Sequence, residues 1–329
     1  MTNAKIIIAG GSGFIGEELI KYFGKNNQLV ILTRKIPESV NNRNTYSNLS
    51  TNDLRNTQFV LWDGETIGNW CNELENADIL INLAGKSVNC RYTEENKLAI
   101  INSRVKSTNI LGQAMSSLQN PPKLWINSSS ATIYRHATDR PQDEYTGEIQ
   151  NDFSVQVCKL WEEAFYQSTT PRTRKIALRM AITLGAGGVM IPYYNLLKFG
   201  LGGKQGNGEQ MYSWIHVTDT CRIIEWLYDH PELDGTFNCS SPGAVTNNQF
   251  MKTLREVTHT AIGLPAYEWM LSLGAAFLGT ETELVLKSRW VVPARLVKTG
   301  FQFTYPTLKE ALENIIAQTP KQQYKLFAK

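Results

Sequence analysis

Excess charge of one sign is scarce in this chain: 33 Lys and Arg face 30 Asp and Glu, leaving a formal net charge of +3. A nucleic-acid partner asks for dense Lys/Arg clusters. The densest basic spot is the run PRTRK at residues 171 to 175, which reads as a solvated turn before a strand. No nucleic-acid partner is therefore expected. Cysteine is sparse as well. Cys71, Cys90, Cys158, Cys221 and Cys239 are odd in number, widely spaced and free of any CxxC. That argues against a disulfide framework or a zinc cluster and fits a reducing cytoplasm. The four histidines are scattered, so no metal site is expected. Long hydrophobic runs are missing too. No charged N-terminal region leads into an apolar stretch, so no signal peptide is expected. Residues 262 to 279 are fairly apolar, but a Pro and a Glu interrupt them. A buried helix is expected there, and no membrane partner.

What is present is an ordinary globular composition, 42% hydrophobic and 19% charged over 329 residues. A chain of this size can bury one core, or a core plus a lobe. It opens on IIIAGGSGFIG, residues 6 to 16. Residues 5 to 9 read as a strand buried on both faces. From Phe14 onward, Phe14, Ile15, Leu19, Ile20, Tyr22 and Phe23 recur at helical spacing. The glycines thus occupy a strand-to-helix turn. A helix N-terminus exposes unpaired N–H groups and the positive end of the dipole. A pyrophosphate can sit there only where no side chain intrudes, and glycine gives that clearance. Gly11, Gly13 and Gly16 give GxGxxG, while Gly10, Gly13 and Gly16 give GxxGxxG. Both spacings point to a dinucleotide.

The second strand, residues 28 to 33, ends in Thr33-Arg34-Lys35 without the acid that would hold the ribose 2′-hydroxyl of NAD. A guanidinium there suits a 2′-phosphate, so NADP(H) is the expected cofactor. Strands then alternate with helices. Strands are expected at 57–62, 78–85, 123–129 and 174–180, and helices at 94–118 and 153–168. This is the pattern of an α/β, Rossmann-type, doubly wound parallel sheet. Residues 40 to 56 read as a polar loop. Beyond residue 185 the character changes, with helices expected at 219–229, 247–258, 267–289 and near the end. The expected division is a cofactor-binding domain at 1–185, to which the chain returns at about 217–240, and a smaller mixed α/β lobe at 186–329 on the substrate side.

Several motifs together resemble the extended short-chain dehydrogenase/reductase family. They are the glycine turn, NLAG at residues 82 to 85, SSSATIY at 128 to 134, LRMAITLG at 178 to 185 and SWIHVTD at 213 to 219. The tail VVPARLVKTGFQFTYPTLKEAL, residues 291 to 312, resembles the small C-terminal domain of an atypical branch. That branch is epimerase/dehydratase-like, and its members are described as sugar-nucleotide epimerases of unproven substrate. The resemblance implies that Ala84 and Gly85 lie beside the cofactor and that Ser130 hydrogen-bonds the reacting carbonyl. The candidate cofactor residues are Gly10, Gly13, Phe14, Ile15, Gly16, Thr33, Arg34, Asp63, Leu83, Ala84, Gly85 and Ser128. The candidate catalytic residue is Ser130. For the substrate pocket the candidates are Arg91 and Thr132, with Met190, Tyr193, Gln210 and Trp214 as an aromatic and polar wall. Asn102, Arg104 and Thr108 on the long helix are either near the nicotinamide or surface polar residues. His216 and Asp219 are read as structural.

One departure from the family is plain. Its members carry Tyr-x-x-x-Lys on the helix after the serine strand, where the pair exchanges the proton. Here that helix reads DFSVQVCKLWEEAF, residues 152 to 165, without the pair. Aligned on Glu162, Ser154 and Cys158 stand in its place. Tyr194-x-x-x-Lys198 and Tyr305-x-x-x-Lys309 lie downstream and read as coincidence; Tyr134 reads as packing. Two functions follow. One is an NADP(H)-dependent oxidoreductase or epimerase acting on a small carbonyl or hydroxyl compound, with Ser130, Tyr92, Arg91 or water giving the proton. The other is a catalytically silent NADP-binding sensor or structural protein. A homodimer is a further expectation.

Overall fold

The computed structural model describes residues 1–37, 49–271, 281 and 286–325. The strands are β1 (Lys5–Ala9), β2 (Gln28–Thr33), β3 (Thr57–Leu61), β4 (Ile79–Asn82), β5 (Leu124–Ser130), β6 (Arg174–Met180), β7 (Ile182–Leu184), β8 (Met211–Tyr212), β9 (Trp214–His216), β10 (Gly235–Cys239) and β11 (Val245–Thr246). The helices are α1 (Phe14–Phe23), α2 (Glu94–Ser116), α3 (Phe153–Gln167), α4 (Met190–Lys198), α5 (Val217–Asp229), α6 (Asn247–Thr258), α7 (Ala294–Lys298) and α8 (Leu308–Ala317). Seven strands form one parallel sheet in the order β10-β6-β5-β4-β1-β2-β3. This is the Rossmann-type doubly wound sheet.

The reason lies in the strand sequences. Runs such as KIIIA and QLVILT are apolar at successive positions, so both faces of each strand need cover. The period of two sends alternate residues to opposite cores. Ile6, Ile8, Ile31, Ile79 and Ile126 pack with Leu19 and Phe23 of α1 and Ile223 and Leu227 of α5. Ile7, Val30, Leu80 and Trp125 pack on the other face with Leu111 and Met115 of α2 and Phe165 of α3. A further core joins Tyr193 and Tyr194 of α4, Trp214 of β9, Phe250 and Leu254 of α6 and Leu312 and Ile315 of α8. Around it lie two small sheets, β7 with β9 and β8 with β11.

Of the helix expected at 267–289, residues 268–271 and 286 are helical and several others lie outside the described residues. The helix does not reach 289: Arg289 is extended and bridges Tyr212. The expected polar loop at 40–56 also lies in part outside the described residues.

The HVTD segment ties the tail to the sheet. Asp219 is fully buried at the start of α5, and its carboxylate accepts from the backbone N–H groups of Thr304 and Tyr305 at 2.8 and 2.9 Å. Arg222 donates to the same carboxylate at 3.0 Å. His216 caps α5: its Nδ1 accepts from Thr218 N–H at 3.1 Å, and its ring lies 4.1 Å from that of Tyr305. Burial lowers its pKa to about 4. The folded state therefore keeps this imidazole neutral where the unfolded chain, at about 6.5, takes a proton. Stability should be full above pH 6.5 and fall as the pH drops toward 4, by up to roughly 3 kcal/mol from this group. His216→Asn keeps a capping acceptor without titrating. Urea denaturation across pH 4–7 should show a shallower acid-side loss in that variant; an unchanged slope would refute the assignment.

Candidate functional site

Parallel register carries the motif residues to one edge of the sheet. Each strand ends at the same side, so the carboxyl ends of β3, β2, β1, β4 and β5 and the turns after them stand in a row there. They contribute, in that order, Asp63, Thr33 with Arg34, the glycine turn, Leu83 to Gly85, and Ser128 to Ser130. In open α/β sheets this carboxyl edge is where ligands bind.

The glycines of the turn do different things. Gly10 has φ +76°, and a Cβ there would stand 2.8 Å from the backbone of Ala84. A Cβ on Gly16 would stand 2.2 Å from the carbonyl oxygen of Gly11. Both positions exclude side chains because backbone meets backbone. Gly13 is the N-cap of α1 in extended conformation, and a Cβ there meets nothing within 4 Å. Open space thus faces the unpaired N–H groups at the start of α1. This is a cradle that fits a pyrophosphate. The ring of Phe14 is wrapped by a second glycine loop. A Cβ on Gly185 or Gly188 would come within 2.4 or 2.9 Å of it.

The neighbouring candidates are placed as follows. Thr33 is buried; its hydroxyl donates to the Lys35 carbonyl at 3.1 Å, and Arg34 is exposed beside it. Gly10 N–H donates to the Leu32 carbonyl at 3.0 Å, so the Arg34 turn adjoins the glycine turn. Asp63 closes its own turn, accepting from the Glu65 and Thr66 N–H groups at 2.8 and 2.9 Å. The Thr66 hydroxyl, followed by those N–H groups, holds its pKa below the usual range. Ile15 and Leu83 are partly buried against the first core, and Ala84 against the second. Ser128 donates to the Met180 sulfur at 3.1 Å. Ser130 caps a single 3-10 turn (Ala131–Ile133), donating to the Thr132 hydroxyl at 3.0 Å and accepting from Thr132 N–H at 3.2 Å. Arg91 is exposed, 3.9 Å from Glu281.

Four pocket candidates are buried side chains. Met190, Tyr193 and Trp214 are buried in the core around α4, α6 and α8. Tyr193 meets the Tyr212 hydroxyl, and Trp214 Nε1 donates to the Gly243 carbonyl at 2.8 Å. Gln210 is buried and donates to the Gln205 carbonyl at 3.0 Å. The Tyr193 hydroxyl, Trp214 Nε1 and Gln210 Nε2 each have an internal partner, so burial costs these groups little. Tyr194 lies in the same core, 3.2 Å from the Thr319 hydroxyl. Lys309 pairs with Glu313.

Sequence reading overlooked two buried polar networks beneath the site. In the first, Asn82 donates to Asn127 at 2.7 Å and to Thr108 at 3.2 Å, and Trp161 Nε1 donates to Thr108 at 3.0 Å. The Asn82 carbonyl oxygen accepts from Ala84 N–H at 3.0 Å and so shapes the NLAG loop. In the second, Arg179 donates to both oxygens of Glu162 at 2.8 Å and to the Tyr134 hydroxyl at 2.8 Å. Ser129 donates to Glu162 at 2.6 Å, and Tyr134 to Asn238 at 3.0 Å. Asn82 and Asn127 inside apolar strands were the available signal. Ser154 is half-buried and Cys158 is buried; burial, with Glu162 next, pushes the Cys158 thiol up to about 12. It is no thiolate at neutral pH. Among the described residues, no group of three His, Cys, Asp or Glu could hold a metal. Nor is any helix among them long and apolar enough to cross a membrane.

The NAD dependent epimerase/dehydratase family matches residues 6–240. The chain belongs to that family. A C-terminal domain of unknown function, DUF1731, matches residues 268–315. The chain is 33% identical to epimerase family protein SSP1921 of Staphylococcus saprophyticus over 94% of its own length and 98% of that protein. It is 31% identical to epimerase family protein YfhF of Bacillus subtilis over 95% and 98%. Among solved structures, human epimerase family protein SDR39U1 with NADPH superposes with a TM-score of 0.80 at 25% identity, covering 95% of this chain and 99% of that one. UDP-N-acetylglucosamine 4-epimerase of Methanobrevibacter ruminantium shares the fold, with a TM-score of 0.73 at 18% identity over 97% and 100%. The family match agrees with a nicotinamide-binding sheet.

The Glu162–Arg179 pair is open to a direct test. Both side chains are 11% exposed. Arg179→Met leaves a buried carboxylate without its cation and should cost roughly 3–5 kcal/mol in urea denaturation. Adding Glu162→Met should recover most of that loss. If the double variant is as unstable as the single, the loss comes from packing and not from stranded charge.

Proposed function

We propose that the protein is an NADP(H)-dependent oxidoreductase or epimerase acting on a small carbonyl or hydroxyl compound. The observation that carries this reading is the glycine turn, closed to side chains at Gly10 and Gly16 and open at Gly13. The turn would hold the pyrophosphate on the N–H groups of α1. Arg34, beside it, would hold a 2′-phosphate with charge-assisted bonds. The NADPH of the human relative supports the same choice. Ala84 and Gly85 would border the nicotinamide ribose. When bound, the cofactor supplies the hydride. The substrate would enter between the sheet edge and the smaller lobe, residues 186–329. Sugar-nucleotide enzymes among the structural neighbours favour a sugar nucleotide.

Ser130 stands at the end of β5 with Thr132 as hydroxyl partner. In this reading it orients the reacting carbonyl. The proton comes from water or from the substrate itself, because a serine hydroxyl is a weak acid without an activating neighbour.

Calorimetric titration tests the cofactor assignment. Wild type should bind NADPH more tightly than NADH, and Arg34→Ala should erase a preference of about tenfold to a hundredfold, worth roughly 1.5–3 kcal/mol. Gly13→Val should fold normally, since its Cβ meets open space, yet lose NADPH. Equal NADH and NADPH affinity in wild type would sink the choice of NADP.

Turnover separates the enzyme from a silent binder. On a panel of carbonyl compounds and sugar nucleotides, NADPH oxidation should be slow, forfeiting part of the ~10²–10⁴-fold that an acid–base group supplies. Ser130→Ala should lower it further, and Tyr194→Phe should leave it unchanged. No turnover alongside tight NADPH binding would favour the sensor reading.

A further inference from the structure

Arg104 sits on α2 with its guanidinium at the NLAG loop. A Cβ built on Gly85 would lie 3.0 Å from its Cζ. The group is stacked on Trp161, 5.1 Å from the ring centre. One nitrogen, Nη1, donates to the carbonyls of Lys86 and Ile100, both at 3.0 Å. The guanidinium is thus held in place from three sides, and the side chain stays partly open to solvent.

Among the described residues it has not been given a counter-charge. No carboxylate of a described residue pairs with it; the ionisable groups that act on it are the thiol of Cys158 and the phenol of Tyr92. The buried arginine Arg179, by contrast, has Glu162. An arginine stays protonated in proteins. A fixed, partly desolvated cation without an anion is costly. Such a group beside a ligand edge signals binding. Its Nε and Nη2 hydrogens form the fork that matches a planar or tetrahedral oxyanion, and no described residue accepts from them.

We propose that Arg104 is an anion receptor of this site, taking a carboxylate or phosphate oxyanion of the substrate on its Nε–Nη2 edge beside Gly85. The location rests on the reading that the substrate occupies the carboxyl edge of the sheet. The position of the guanidinium and its lack of a carboxylate partner among the described residues do not depend on it. A cation fixed on α2 also compensates for the absence of the Tyr-x-x-x-Lys pair from α3: it places a positive charge at the site, from a different helix.

The test measures ligand binding by NMR saturation transfer and calorimetry, with and without NADPH. The probes are oxalate, inorganic phosphate and the uncharged oxamide. Oxalate or phosphate should bind wild type at least tenfold more tightly than Arg104→Met, with oxamide indifferent to the substitution. Oxalate alone being affected identifies a carboxylate, and phosphate alone a phosphate. Arg104→Lys should retain part of the affinity. Millimolar guanidinium ion should restore some binding to Arg104→Ala, which a merely structural role would not allow. NADPH affinity should change less than about twofold. Equal oxyanion affinity in wild type and folded Arg104→Met overturns the proposal, as does no oxyanion binding to wild type. A loss of NADPH affinity as large as the loss of oxyanion would assign the guanidinium to the cofactor instead, and also overturns it. Failure of wild type to bind NADPH would refute the NADP reading separately, with the oxyanion titration of the free protein still deciding for or against Arg104.

Discussion

Backbone against backbone is the contact on which this architecture depends. Gly16 lies on Gly11, and Gly10 lies on Ala84, with no room for even one carbon atom between them. The first contact sets how closely α1 follows β1. The second presses the turn against the loop after β4. Together they aim the N-terminus of α1 along the carboxyl edge and leave Gly13 as the open position. The same economy recurs at Gly185 and Gly188, where missing side chains admit the ring of Phe14. A loop some 170 residues away is thereby packed onto the first residue of α1.

The other half of the site is set by polar groups that burial forces into partnership. Asn82 and Asn127 face each other on adjacent strands, paired in register, and share Thr108 and, through it, Trp161. Glu162 and Arg179 join α3 to β6, while Tyr134 carries the chain on to Asn238 of β10. Unpaired, each of these groups would cost about 1–3 kcal/mol or more. Paired, they admit few alternatives in spacing or register. Fixed positions for α2 and α3 follow, and with them the positions of Arg104 and Cys158.

Legibility in the sequence followed the strength of the local signal. Residues 5–9, 28–33, 174–180 and 247–258 coincide with β1, β2, β6 and α6, because continuous apolar runs and strong helical periodicity leave little choice. The glycine turn was legible because its residue type has a conformational cause. Met190, Tyr193, Gln210 and Trp214 were expected as a pocket wall and are buried side chains. Aromatic and amide side chains line pockets and also fill cores when an internal acceptor is near, and composition does not separate the two. Only the positions of Tyr212, Gly243 and Gln205 decide it. The pairing of Glu162 with Arg179 was likewise out of reach, since it joins a helix and a strand through the third dimension.

The groups around Ser130 constrain the chemistry further. Cys158 is held as a thiol, its pKa pushed up to about 12. Burial raises the Tyr134 phenol, whose oxygen already donates to Asn238 and accepts from Arg179. Glu162 is engaged by Arg179 and Ser129. Neither the Cys158 thiol nor the Tyr134 phenol exchanges a proton readily near pH 7. What the site does offer is a fixed cation at Arg104 and two hydroxyls, Ser130 and Thr132. Such a set stabilises negative charge on oxygen better than it moves protons. Under the proposed function, the chemistry it suits is one in which a developing or permanent oxyanion is held while the proton is exchanged with water or carried by the substrate.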